Sequence, residues 1–159
     1  MGRTKRDMPE PAEATLDLSR YLPQMLNRLA ARMNERLAEE LATIGLPLAH
    51  WRILAILNWR GTCTLTEIRE WTVIDLSTAS RAVKRLEEEE YVTRDRQTRD
   101  KRARRIQLTA AGKARYAQGW TIVSGFHAHV FADTTPAERE RMLDLLAGAL
   151  QRLDRSVWS

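Results

Sequence analysis

The chain has a single cysteine, Cys63, among its 159 residues. One thiol cannot close an intramolecular disulfide or supply a Cys-rich zinc site. Histidine is nearly as scarce, with only His50, His127 and His129. His127 and His129 are two residues apart, which on a helix puts them on different faces and makes a poor metal pair. His50 is remote from both, so all three read as structural or surface residues. No apolar run approaches the ~18 residues needed to cross a bilayer. Residues 1–14 carry charge but lack the apolar stretch of a secretory signal. The expectation is a cytoplasmic protein without a metal or a membrane. A Gly-rich phosphate loop, a nucleophile beside a base and a catalytic carboxylate pair are also missing. An enzyme is therefore disfavoured, and no cofactor is implied.

What the chain has in excess is positive charge: 26 Lys and Arg against 21 Asp and Glu, a net +5. A basic balance suits a polyanionic partner, although such surfaces are often merely solvated. Its distribution is more telling. Residues 94–105 hold seven Lys or Arg and two Asp, so twelve residues carry +5, the net charge of the whole chain.

Apolar periodicity organises the rest. Residues 1–12 are polar with two prolines and read as a loose tail. From about residue 16 to 44, Leu22, Met25, Leu26, Leu29, Met33, Leu37, Leu41 and Ile44 recur at three and four residues. This predicts a long amphipathic helix, broken or kinked near Pro23 and closed by Gly45. Pro47 suits the first position of a second helix, with Trp51, Leu54, Ala55 and Leu57 inward and Gly61 at its end. Thr64 and Glu67 have capping-box spacing and open a short helix ending near Trp71 or Thr72. After a turn of three or four residues, another helix starts at 75–77. Leu76, Ala79, Val83 and Leu86 point inward, whereas Ser77, Ser80, Arg81, Lys84 and Arg85 lie outward or on the flanks. Paired strands follow over 91–94 and 105–108, around the basic loop. Thr109 can cap a helix to about residue 130, its backbone eased by Gly112 and Gly119. Thr135 and Glu138 repeat the capping box before a last helix striped by Met142, Leu145, Leu146, Leu150, Leu153 and Val157.

Two short helices joined by a tight turn, then a cationic hairpin, form the layout of a winged helix-turn-helix DNA reader. Ser77, Thr78 and Ser80 sit where free amides at a helix N-terminus favour phosphate, and Arg81, Lys84 and Arg85 can reach base edges or backbone. The carboxylates at 87–90 would be repelled by phosphate, so the N-terminal half must be the end that enters the groove. In the loop, Arg96, Arg99, Lys101, Arg102 and Arg104 supply charge to follow a backbone.

The segments LTEIREW, DLSTASRAVKRLEEEEYVTR and RDKRARRIQLTAAGKA together resemble the DNA-binding region of the MarR (multiple antibiotic resistance regulator) family, most strongly over residues 47–112. The resemblance implies a mainly α fold with a small β-hairpin wing and long dimerisation helices. It assigns Arg102 to a minor groove, with Asp100 holding the wing by an ion pair. At Glu90 the family usually places Gly, whose left-handed conformation costs a Glu about 1 kcal/mol. The implied organisation is a tail at 1–12, a helical dimerisation region at 13–45 and 109–159, and a winged DNA-binding lobe at 46–108. Partners would be a pseudo-palindromic double-stranded DNA operator and a second copy of the chain. Arg28, His50 and Trp51 fall where the family's effector cleft lies, a setting for a small aromatic acid. The expected function is a sequence-specific transcriptional regulator, a repressor released by a small ligand. The alternatives are an architectural nucleic-acid-binding protein without sequence preference and a thiol-redox regulator acting through Cys63. Those sensing cysteines commonly lie near the N-terminal helix, so Cys63 reads as a bystander.

Overall fold

Pro23 opens the first helix and does not kink it. The computed structural model describes residues 17–95 and 104–154, with α1 at Leu22–Ala42 and Pro23 in its first turn. The missing proline N–H is harmless there, because the first four amides of a helix have no intrahelical acceptor. Residues 18–20 form a separate turn, so the helix starts later than its periodicity suggested. Gly45 closes it at φ 63°, and the Leu46 amide returns to Leu41 O at 3.1 Å.

Pro47 is the N-cap of α2, Leu48–Arg60, one place earlier than expected. Helix α2 is central. It packs against α1, against α3 (Leu65–Thr72) and α4 (Leu76–Glu88), and against α5 (Ala110–Val130). It therefore buries Ile53 and Ile56 as well as Leu54 and Leu57. A one-face reading picks too few positions on a helix covered from several sides. Full burial of a Leu or Ile contributes ~1.5–3 kcal/mol, and Leu41, Leu46, Ile53, Leu54, Ile68, Leu86 and Ile106 are all inside.

The capping box of α3 is complete: Thr64 N–H donates to Glu67 Oε2 at 2.7 Å and Glu67 N–H to Thr64 Oγ1 at 3.3 Å. Residues 73–75 turn the chain into α4, which buries Ala79, Ala82, Val83 and Leu86. Leu76, expected inward, is half exposed at the first position of the helix, and Ala82 takes the inward place.

The hairpin strands are β2 (Val92–Arg94) and β3 (Ile106–Leu108), antiparallel with Val92 opposite Leu108 and Arg94 opposite Ile106. A third strand, β1 (Thr62–Cys63), pairs with β3 to give the order β1-β3-β2. Two residues are too few for any periodicity to announce. Thr109 caps α5 through its hydroxyl, which accepts from the Gly112 amide at 3.0 Å. Thr135 and Glu138 likewise cap α6, Pro136–Asp154.

Gly112 and Gly119 permit close approach; easing the backbone is not their role. A Cβ at 112 would lie 1.9 Å from Tyr91 O, and one at 119 would lie 2.1 Å from Trp51 Cδ1. The N-terminal half of α1 leaves Leu22, Met25, Leu26 and Leu29 exposed, and α6 leaves Leu143, Leu145, Leu146, Leu150 and Leu153 exposed. Met142 is half-buried, and Val157 lies outside the described residues. Among the described residues no helix is long and apolar enough to cross a membrane.

Gly112→Ala should destabilise the fold by ~1–3 kcal/mol, since the atom it would strike is backbone. Gly125→Ala on the same helix meets open space and should stabilise by ~0.5–1 kcal/mol. Urea midpoints of the two variants, with equal m-values, check the contrast.

Candidate nucleic-acid interface

The outward face of α4 begins with its cap. Asp75 Oδ1 accepts from the Ser77 hydroxyl at 2.5 Å and the Thr78 amide at 2.8 Å. These bonds, the Ser77 hydroxyl first, hold the Asp75 carboxyl well below its ordinary value. Ser77, Ser80, Arg81, Lys84 and Arg85 are exposed together and Thr78 is half-buried, while the opposite face enters the core. The charges are not equally available. Arg85 Nε meets Glu89 Oε1 at 2.8 Å, and Lys84 Nζ lies 3.7 Å from Glu88 Oε1. Among the described residues Arg81 reaches its own turn, with Thr78 Oγ1 at 3.3 Å. Exposed pairs of this kind contribute about 0–1 kcal/mol and exchange easily for a phosphate. The helix is thus electropositive toward its N-terminus and compensated toward its C-terminus.

Past α4 the chain reverses through Glu90, at φ 60°. The Tyr91 amide bonds to Leu86 O at 2.9 Å and the Glu90 amide to Glu87 O at 3.1 Å, the two bonds of a Schellman cap. Glu90 therefore occupies the left-handed site that the resemblance gives to Gly, and the helix ends where it should. The hairpin root is pinned by arginines that were not singled out as site residues. Arg94 Nε sits 3.1 Å from Glu87 Oε2, an ion pair without hydrogen-bond alignment. Arg105 donates through Nε to Thr62 Oγ1 at 2.8 Å and through a terminal nitrogen to Thr62 O at 2.9 Å. Their signal was position, one at each foot of the basic loop. Arg104 is half-buried at the root, and the Asp95 amide extends the ladder to Arg105 O at 2.8 Å. Arg96, Arg99, Asp100, Lys101 and Arg102 lie outside the described residues.

A cavity of about 640 Å³ opens between α1, α2 and the end of α3. Trp51, Trp59 and Trp71 line it, with Asn34, Arg52 and Val73. Arg52 donates to Asn34 Oδ1 at 2.6 Å, which fixes its guanidinium there. Of the three residues expected to form a ligand site, Trp51 alone lines this cavity. Arg28 is two residues from the lining Ala30, about 200° around α1, and faces away. His50 is half-buried on another side of α2, within the fields of Glu89, Arg85 and Arg115, and burial is the main cause of its lowered pKa. Arg52 is the cation that the sequence reading missed. Its partner lies 18 residues away on a different helix, so only the packing reveals it. Cys63 is fully buried, and burial pushes its thiol upward, away from the reactive thiolate. That environment counts against a thiol sensor.

A three-helix lobe with an exposed polar helix and a three-stranded wing defines a helix-turn-helix transcriptional regulator of the winged class. Residues 46–103 match the MarR family model. A MarR family transcriptional regulator from Silicibacter pomeroyi superimposes with a TM-score of 0.76 at 33% identity, covering 85% of this chain and 91% of that one. The chain belongs to the MarR family. It is also similar to the HTH-type transcriptional regulator YwoH of Bacillus subtilis, 29% identical over 85% of this chain and 98% of that protein. The HTH-type transcriptional repressor IacR of Pseudomonas putida is 25% identical over 81% of this chain and 77% of its own. The family is one of transcription regulators, not of enzymes.

The Asp75 cap sets a pH dependence. Its folded pKa lies below the ordinary 3.8, so its stabilisation is complete above that value and is lost as the pH falls further. Asp75→Asn caps without titrating. Between about pH 5 and pH 2 its melting temperature should fall less steeply than that of the wild type. Parallel slopes in differential scanning calorimetry would contradict this cap.

Proposed function

We propose that this regulator is a dimeric repressor that reads a pseudo-palindromic operator with α4 and the basic wing. The observation that carries the reading is the polarity of α4. Hydroxyls and Arg81 crowd its N-terminal half, and the carboxylates of 87–90 are confined to the other end. Ser77, Thr78 and Ser80 contact phosphate, Arg81 addresses base edges, and Lys84 and Arg85 exchange their glutamate partners for backbone phosphates. Wing residues Arg96, Arg99, Lys101, Arg102 and Arg104 follow the backbone, with Arg102 in the minor groove and Asp100 bracing the loop.

The lobe at 46–108 is the DNA reader, and 13–45 with 109–159 form the dimerisation region. The exposed leucines of α1 and α6 support this division, because apolar stripes of that extent mark interfaces. Two lobes must then hold their α4 helices about one helical turn apart, ~34 Å, to enter successive major grooves. A small aromatic carboxylate releases the operator from the cavity beside Trp51, its ring against Trp51, Trp59 or Trp71. Arg52 meets the carboxylate, in place of the Arg28 and His50 that the resemblance puts in the effector cleft. The burial of Cys63 disfavours the redox alternative.

Arg81→Ala should cut the preference for operator over random duplex by roughly tenfold, within the 1–3 kcal/mol of one bidentate base contact. Binding measured across a salt series checks it, because lost phosphate contacts change the salt slope whereas lost base contacts change the ratio. A wild type without any operator preference would make the chain an architectural binder. In light scattering it should have twice the 18.3 kDa chain mass.

A further inference from the structure

The turn between α3 and α4 has a conformation that its sequence does not favour. Val73 sits at φ 54° and ψ 36°, the left-handed region, where a branched Cβ crowds the backbone. Glycine, asparagine and aspartate tolerate this region; valine is among the residues that do so worst. Glu90 is the other described non-glycine residue with positive φ, but it is unbranched and lies inside a double-bonded cap. Val73 is held by its amide to Arg69 O at 3.1 Å, and the residue is 87% exposed. Little burial offsets its strain.

The same residue is a wall of the cavity, next to Trp71 and Thr72. Two residues further on, Asp75 caps α4. One strained residue therefore touches both the space an effector would fill and the hinge of the helix proposed to read DNA. We infer that Val73 is the relay by which occupancy of the cavity moves α4. An occupant that presses on the isopropyl group favours the unstrained turn, in which Val73 leaves the left-handed region. Asp75 and the first turn of α4 are carried with it, away from the geometry that fits the groove. Strain already narrows the gap between the two turn conformations. A small difference in contact is then enough to shift their populations, and a site can act only through such a difference. This rests on the reading that α4 contacts DNA and that the cavity takes the effector.

The test needs no ligand. Ala30, exposed on α1 at the cavity wall, is changed to Trp so that an indole attached to the chain fills the space. Val73→Gly removes both the strain and the contact, while glycine keeps the left-handed turn. Ala30→Trp should weaken operator binding by ~tenfold, and Ala30→Trp with Val73→Gly should bind within about twofold of Val73→Gly alone. Val73→Gly alone should bind operator at least as tightly as the wild type and melt at a higher temperature. Equal weakening by Ala30→Trp with and without the Val73→Gly change would overturn the relay, as would no weakening at all. A lower melting temperature for Val73→Gly would overturn the premise of strain. Ala30→Met, a smaller filler, repeats the comparison if the Trp variant does not dimerise, with the same pattern expected and the same outcomes overturning it. Loss of operator preference in the wild type itself would instead defeat the repressor reading.

Discussion

The position of α4 relative to the wing depends on one knot of backbone hydrogen bonds around Tyr91. Its amide closes the end of α4 on Leu86 O, and its carbonyl accepts from the Thr109 amide at 3.1 Å. Thr109 also donates its hydroxyl to Glu90 O at 2.6 Å and accepts from the Gly112 amide. Gly112 is there because Tyr91 O occupies the place of its missing Cβ. Helix α4, the hairpin foot and the start of α5 are thus fastened at one point, with Arg115 over the Tyr91 ring at 6.0 Å. This explains physically why Thr109 and, three residues on, Gly112 follow the hairpin. The Thr serves two helices at once, and the Gly lets them meet.

Helix α4 is bracketed by the two described left-handed residues that are not glycine, Val73 before it and Glu90 after it. Each conformation costs on the order of 1–2 kcal/mol, and the two ends manage that cost differently. Glu90 is fixed within the Tyr91 knot, so the C-terminal end of α4 is anchored. Val73 is exposed beside a cavity and is held by its amide bond to Arg69 O. The electrostatic gradient runs the same way, since the compensated carboxylate end is the anchored one. Position and charge together set the N-terminal half of α4, electropositive and beside the cavity, apart from its anchored C-terminal end.

Much of this was legible in the sequence because its signals are local. Both capping boxes, the start of α5 and the polar face of α4 depend on residues within a few places of one another, and the hairpin shows as two short runs on either side of the basic loop. What required three dimensions was the environment of each face. Trp51 was legible as a candidate for a binding site, but Arg52 was not, since its orientation depends on Asn34 of α1. Arg28 and His50 are placed by the family resemblance, and helix geometry turns both away from the cavity that Trp51 lines. Ile53, Ile56 and Ala82 are buried because other helices cover more of α2 and α4 than one stripe. Strand β1 is defined by its partner β3 and by nothing in its own two residues. The left-handed turn at Val73 opposes the preference of its own residue, so no reading of propensity would have found it.

The burial of Cys63 gives the protein a property unrelated to redox chemistry. Its sulfur lies in the short strand that zips onto β3 opposite Ile106, fully enclosed by the lobe. A thiol reagent can reach it only when the packing around it opens. Because the chain has one cysteine, its alkylation rate is a clock for the opening of this lobe, blind to fraying of the distant helices.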